Sequence, residues 1–246
     1  MADRGHRARR LAHRASAPLI AVVDGWEQGD GSATDRAWLA DWRRQVAALY
    51  AEVRALAATD PAVAHRHWRE VRERLYRDHP QSPVPRDARE GFRAHHFEYD
   101  PALRFTLTLE AAPPVAPGAF DLQLPNSGAD SLAFSRVGRV EIPFPDRPRN
   151  LSVFWMAGYA GGLFIPFRDA TNGRETYGAG RYLVDAAKSA DLGGDPAVGT
   201  LILDFNFAFQ PSCAFDPRWA CPLASPENRL DIAVRAGERL AGEPPA

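Results

Sequence analysis

The sequence predicts an α+β, mainly β protein in which an N-terminal helical hairpin packs on an antiparallel β-sandwich or small β-barrel. Three observations carry this expectation. Apolar residues recur at spacings of three and four between residues 34 and 77, three prolines interrupt the chain at 79–86, and beyond about residue 92 the hydrophobic pattern changes to period two. At 246 residues the chain is long enough for one domain of this kind with a sizeable core.

In the first helix Trp38, Leu39, Trp42, Val46, Leu49, Tyr50, Val53 and Leu56 share a face, with Ser32 or Thr34 as the cap. Asp60-Pro61 starts a second helix, the aspartate as cap and the proline at the first position, where its missing N–H is not needed. Val63, Trp68, Val71, Leu75 and Tyr76 continue its apolar face to about Arg77. The polar face, including Glu70 and Arg74 four residues apart, reads as solvated surface. The sequence HPQSPVPR at 79–86 cannot remain helical, so the chain crosses here in extended form.

Leu103, Phe105, Leu107 and Leu109 then alternate with polar residues, as a strand with one wet face requires. Phe120, Leu122 and Leu124 repeat the alternation before a turn at 125–128. Further strands are expected at 132–134, 140–144, 151–156, 163–167, 176–184, 201–209 and 230–235. About nine short strands without a fixed-period repeat argue for a sandwich or barrel and against propellers and solenoids. The expected organisation is a basic tail over 1–33 and one domain over 34–240. Within it lie a hairpin at 34–78, a crossing at 79–91 and a β domain at 92–240.

Composition bounds the function. With 45% hydrophobic and 25% charged residues and a formal net charge of -1, no global field recruits nucleic acid or an anionic membrane. No stretch approaches the ~20 apolar residues of a membrane span, and the apolar run 19–23 stops at Asp24, short of a signal core. A cytoplasmic protein with neither a nucleic-acid nor a membrane partner is expected. Lys188 is the only lysine, which carries no functional weight.

The unusual residues concentrate at 161–238. Thr171-Asn172-Gly173-Arg174 fits a hairpin turn whose Asn-Gly supplies positive φ, placing Arg168 and Asp169 on one strand and Thr176, Tyr177 and Arg181 on its partner. Gly178 and Gly180 in a strand mark a bulge or a close approach by backbone or ligand. In LILDFNFAF, alternation puts Asp204 and Asn206 on one face and Phe205, Phe207 and Phe209 on the other. A buried carboxylate needs a partner, and Arg168 and Arg181 are the expected ones for Asp204.

Cys213 and Cys221 lie in a proline-bounded loop and admit three readings: a zinc pair, a redox pair or disulfide, and two unrelated thiols. A C-x7-C pair without a neighbouring histidine matches no usual zinc spacing, so no metal is assigned. The common nucleotide-binding and hydrolase motifs are absent, and no motif identifies a cofactor.

FRDATNGRETYGAGRYL, LDFNFAFQPSCAF, CPLASPENRL and RAGE, with HPQSPV and FEYDPALRF before them, resemble the uncharacterised family called domain of unknown function 1684, over about residues 35–240. The resemblance implies signature positions at Ser82, Pro83, Arg168, Asp169, Thr171, Gly173, Thr176, Tyr177, Gly180, Arg181, Asp204, Asn206, Cys213, Cys221, Pro222 and Asn228. It implies no activity. Phe209-Gln210 stands where the family often has Tyr-Asn. Polar residues dominate this set, which suggests a site. The expectation is a polar pocket at one end of the β domain that binds a small anionic molecule through Arg168, Thr176, Tyr177, Arg181, Asp204, Asn206 and Asn228. The alternatives are an enzyme using Asp169 or Asp204 as base or Cys213 as nucleophile, and a structural or protein-interaction domain.

Overall fold

A computed structural model describes residues 31–112, 122–123, 133–157 and 161–242. The helical hairpin forms as its sequence signals require. Helix α1, Ala33–Ala57, is capped by Ser32, whose side chain accepts the Asp35 N–H, and α2, Pro61–Asp78, by Asp60, whose side chain accepts from Ala62 and Val63. Strand β1, His95–His96, follows the crossing, and then β2, Arg104–Thr108, and β3, Glu110–Ala111. Next come β4, Leu122–Gln123, β5, Ala133–Pro143, β6, Pro148–Met156, β7, Gly162–Phe167, and β8, Arg181–Asp185. The last two are β9, Thr200–Asp204, and β10, Glu238–Arg239.

The main sheet is antiparallel in the order β3-β5-β6-β7-β8, with β4 on the far half of β5. The run from 104 to 111 is shared between two sheets. Its first half pairs with β9, and after Leu109, whose N–H bonds Gly199, its second half pairs with β5. The β2-β9 ribbon therefore folds over one face of the main sheet, and among the described residues no ladder joins β8 to β9 to close a barrel. No helix among the described residues is long and apolar enough to cross a membrane.

Both faces of the main sheet are covered. On one, Leu151, Val153, Ile165 and Phe167 meet Leu107 and Leu203 of the ribbon and Leu230, Val234 and Ala236 of a C-terminal strap, residues 228–240. On the other, Phe134, Phe154, Phe164 and Tyr182 meet Leu49, Tyr50, Val53, Ala64 and Trp68 of the hairpin. Each fully buried side chain of this size contributes about 1.5–3 kcal/mol. A doubly covered sheet explains why β6 to β8 carry apolar runs where a one-sided strand would alternate.

Several expected elements differ. The strands at 132–134 and 140–144 are one strand, β5, bent by an irregularity between Arg136 and Gly138. The strand at 201–209 ends at Asp204, whose carboxylate accepts the Asn206 N–H and winds Phe205–Phe207 into a 3-10 turn. An aspartate offering its own side chain to the backbone two residues on competes with the ladder. In consequence Phe205 joins the ribbon side of the core, while Phe207 and Phe209 join the hairpin side. The expected strand at 230–235 is strap without ladder pairing. Phe120, Leu124, the turn at 125–128, Leu132 and residues 1–30 lie outside the described residues.

One ion pair ties the hairpin to the strap. Arg72, on the buried face of α2, donates its Nε to Glu238 Oε1 at 2.5 Å and its Nη2 to Oε2 at 3.3 Å. Its guanidinium lies 4.3 Å from the Tyr76 ring centre and 4.8 Å from that of Phe209. Burial works against the charge on Arg72, and Glu238 with the neighbouring Tyr76 and Tyr50 together outweigh it, raising the arginine pKa. Arg72→Met or Glu238→Gln alone is expected to cost about 3–5 kcal/mol in urea unfolding, because each strands a buried charge or its acceptors. The double replacement is expected to cost clearly less than the sum of the two. Additive losses would show that the pair is not coupled.

Candidate functional site

The β7-β8 connection, residues 168–180, is where the sequence placed most of its candidate residues. Arg181 opens β8 directly opposite Phe167. The two backbones approach so closely that a Cβ on Gly180, whose φ is +104°, would stand 2.4 Å from the Phe167 carbonyl oxygen. Gly180 is therefore a close-approach glycine, whereas Gly178 has no neighbour nearer than 3.8 Å to a Cβ placed there.

Arg181 is 1% exposed. Its Nη1 donates to the carbonyls of Ala236 and Glu238, and its Nη2 donates to the Val234 carbonyl at 2.8 Å and to Asp169 Oδ2 at 3.3 Å. Only Nε lacks a hydrogen-bond partner among its nitrogens. Burial pulls the guanidinium pKa down, and Asp169 opposes that. Asp169 in turn accepts the Val234 N–H at 2.7 Å and the Thr171 hydroxyl at 2.7 Å. Arg181 thus grips the strap.

The expected Asn-Gly hairpin is a wound loop. Gly173 has positive φ, at +78°, but Asn172 and Thr176 make only an isolated bridge. Asn172 accepts the Asp169 N–H and donates to Thr176 Oγ1 and the Tyr177 carbonyl. Thr171 and Thr176 are fully buried and bond each other at 2.8 Å. Arg168 lies outside this knot, exposed, with Nη2 donating to the Gly178 carbonyl at 2.8 Å.

Asp204 meets neither expected arginine. Its partner is Arg104, opposite it in the ribbon register, with Nη1 at 3.1 Å from Oδ2. Its Oδ1 accepts from the Asn206 N–H and side-chain amide. Burial raises the Asp204 pKa, opposed by Asn206 and then Arg104. Asn206, fully buried, also pairs with Asp100, accepting its N–H and donating to its carbonyl at 2.8 Å each.

Asn228 occupies a third place. Strands β6 and β7 pair only from Phe154 to Met156 on β6, and before that they splay. Asn228 fills the gap, accepting the Ser152 N–H at 2.7 Å and donating to the carbonyls of Ser152 and Pro166 at 3.0 and 2.8 Å. A side chain here performs the task of a missing ladder rung.

Cys213 and Cys221 form a fourth place with Trp219 and Tyr177. Neither cysteine is in a disulfide. Hydrogen bonding from Cys213 and burial push the Cys221 thiol up, and burial with the Cys213 contact pushes Tyr177 up to about 12. A thiol held protonated, as Cys221 is, is a poor nucleophile. Among the described residues no three His, Cys, Asp or Glu side chains gather as metal ligands would.

Of the seven expected ligand residues, then, Arg181 lies with Thr176 beside Asp169, Asp204 lies with Asn206, Asn228 meets Arg168 only through the backbone, its carbonyl accepting the Arg168 N–H, and the side chains of Arg168 and Tyr177 reach solvent. Among the described residues no side-chain hydrogen bond links these groups to one another. Asp169, Asp204 and Cys213, the expected catalytic candidates, are buried in three separate places.

Two functional-looking features were not read from the sequence. Arg72 sits four residues from both Trp68 and Tyr76 on the apolar stripe of α2, a position that itself demands a buried partner. His65 and His96 meet at the joint of α2, β1 and the turn at 205–207, rings 6.1 Å apart and packed on Trp68, Tyr99 and Phe207. His65 Nε2 and both His96 ring nitrogens are buried without a hydrogen bond. Burial depresses His65 to about 3 and His96 to about 4, the latter against the pull of Glu238.

Comparison with known proteins identifies a family and a similar structure. A family model described as "Protein of unknown function (DUF1684)" matches residues 91–239. A solution NMR structure of an uncharacterized protein of Haloarcula marismortui is similar at 31% identity and a TM-score of 0.51. The match covers 70% of this chain and 90% of that one. No curated protein matches.

Arg181→Lys is expected to destabilise the protein by about 2–4 kcal/mol in urea unfolding, because one ammonium cannot reach three carbonyls and Asp169 at once. A loss below about 0.5 kcal/mol would show that the strap does not depend on the guanidinium fork. The histidines set a pH dependence. Their folded pKa values lie below the ordinary 6.5, so the unfolded chain binds protons first as pH falls. Their contribution is nearly complete at pH 7 and declines below about pH 6.5 towards the folded values of about 4 and about 3, by about 4 kcal/mol between pH 7 and pH 5 for the two rings together. His65→Phe is expected to flatten that decline, and equal urea midpoints at pH 7 and pH 5 in the unsubstituted protein would contradict the assignment.

Proposed function

We propose, for a chain that belongs to this family of proteins of unknown function, that it works as a non-catalytic interaction domain whose contact face is the N-terminal half of α1. The observation that carries the reading is a contrast in exposure. Arg181, Asp204, Asn206, Thr176 and Asn228 are at most 1% exposed, while Trp38 keeps 42% of its surface in solvent. Trp38 stands in a shallow, wide-open groove along α1 with Ala33, Thr34, Ala37, Asp41 and Arg44.

The groove is held in shape from beneath. His79 is buried, accepts the Gln81 N–H on Nδ1 and so donates from Nε2 to Asp41 at 3.3 Å. Trp38 and Trp42 both meet its ring edge-on, at 5.8 and 5.2 Å. A fixed tryptophan beside an arginine is the residue combination that most often dominates protein–protein binding, and a preformed surface loses little entropy on association. Asp41 and Arg44 pair with each other at 3.2 Å, so the occupant that suits the groove is an uncharged, apolar segment of another protein.

A second reading keeps a small anion. Arg168 and Arg174 are exposed on the 168–180 loop, and the donors of Arg168 not engaged with Gly178 face solvent. On this reading the anion would bind at the surface of the 168–180 loop, within the segment where the sequence suggested a polar pocket.

Both readings can be tested on the intact chain. With a photoreactive benzophenone residue introduced at Ala37, irradiation of expressing cells is expected to give a discrete adduct that Trp38→Arg removes; no adduct, or one indifferent to Trp38→Arg, sinks the interaction reading. A thermal-shift screen of carboxylates and phosphate esters is expected to move the midpoint by less than about 1 °C. Stabilisation that Arg168→Ala abolishes would transfer the function to the anion reading.

A further inference from the structure

The loop at 211–222 is bounded by Pro211 and Pro222 and carries both cysteines. It joins the three parts of the molecule. Phe215 packs on Tyr76 of α2 and on Phe92 of the crossing, with ring centres 5.2 and 5.9 Å apart. The Trp219 indole donates to the Pro83 carbonyl at 3.4 Å, and the Tyr182 hydroxyl of β8 donates to the Pro222 carbonyl at 2.5 Å.

Inside this loop the two sulfurs face each other. The Cys213 N–H donates to Cys221 Sγ at 3.3 Å, and the two thiols are within hydrogen-bonding reach of one another. The Tyr177 hydroxyl lies 3.7 Å from Cys213 Sγ and 3.3 Å from the Cys213 carbonyl oxygen, which it contacts as a donor. Cys213 is 7% exposed and Cys221 3%, so Cys213 is the outer residue of the pair and is assigned the first encounter with a small reagent.

We propose that Cys213 and Cys221 are a redox modification site that closes to an intramolecular disulfide when a hydroperoxide is the oxidant. In the first step the Cys213 sulfur attacks one peroxide oxygen, the O–O bond breaks, and a sulfenic acid and water (or the alcohol of an organic hydroperoxide) result. In the second the Cys221 sulfur attacks the sulfenic sulfur, the S–O bond breaks, and the hydroxyl leaves as water with the Cys221 proton. The two thiols together lose two protons and two electrons, which the peroxide takes up. The product links a loop that already touches hairpin, crossing and sheet, so oxidation fastens the joint between them. Because the thiolate is the reacting form, closure is slow at neutral pH and accelerates as pH rises.

Hydrogen peroxide on the full-length protein tests this. The expected result is an intact mass lower by two hydrogens, no dimer on a non-reducing gel, and full reversal by dithiothreitol. Trypsin cleaves at Arg218, between the cysteines, so the bond is expected to appear as two peptides joined through Cys213 and Cys221. The oxidised protein is expected to melt higher, by on the order of 5 °C, and Cys213→Ser or Cys221→Ser to abolish both the mass loss and the shift. Thiols that remain alkylatable after treatment, accumulation of sulfinic or sulfonic acid, or an intermolecular dimer would each overturn the proposal. These readouts come from the unsubstituted chain, so they hold even where a serine variant folds poorly.

Discussion

A guanidinium buried away from water has to be surrounded by acceptors, and that requirement at Arg181 shapes the C-terminal third of this protein. Asp169 supplies the compensating charge, and the carbonyls of Val234, Ala236 and Glu238 supply the rest of the shell. Three carbonyls can converge on one fork only if the strap bends around it, so the path of residues 228–240 follows from the position of a single side chain. The strap then adds main-chain bonds of its own, Leu230 to Arg168 and Ala170 to Ile232, and delivers Glu238 to Arg72 on the helical hairpin. Charge compensation at one arginine is in this way connected to the docking of helices on the opposite face of the sheet.

The same economy governs the other polar residues of the signature. Asn206 binds Asp100 as a strand neighbour would, and Asn228 bridges β6 and β7 where the strands part. Side-chain amides present a donor and an acceptor together, which is what an irregular backbone needs where no ladder is available. A polar set of this composition resembles an active site when it is seen only as letters. In space these side chains supply hydrogen bonds that irregular segments cannot make with one another.

The helical hairpin was legible because its signals are local: Ser32, Asp60 and Pro61 sit within one turn of the backbone groups they satisfy. Strands β6 and β7 were legible for the same reason, since a short apolar run bounded by turn residues is a local signal, whereas β5 was read as two strands because its bend at 136–138 interrupts the pattern. The strand end at Asp204 was not, because an aspartate that bonds the backbone two residues on looks like any aspartate in an alternating run. The partner of Asp204 was misread because Arg104 is a hundred residues away and proximity along the chain favoured Arg168 and Arg181. Family membership was legible from FRDATNGRETYGAGRYL and its companions, but the roles of those residues were not. Whether Arg181 faces a ligand or a backbone carbonyl depends on where the strap passes, and nothing local to Arg181 records that.

The shared strand at 104–111 and the strap together have a consequence for biosynthesis. During synthesis the hairpin and β2 emerge first, yet β2 waits for β9, almost a hundred residues later, and the carbonyls that enclose Arg181 come later still. Contacts so distant along the chain close slowly, and a partly made chain keeps an unpaired strand edge and an uncompensated arginine until residue 238 has left the ribosome. Translation order thus leaves the edge of β2 bare over a long stretch of elongation, and a chain that stops inside the strap lacks acceptors that Arg181 has in the finished fold.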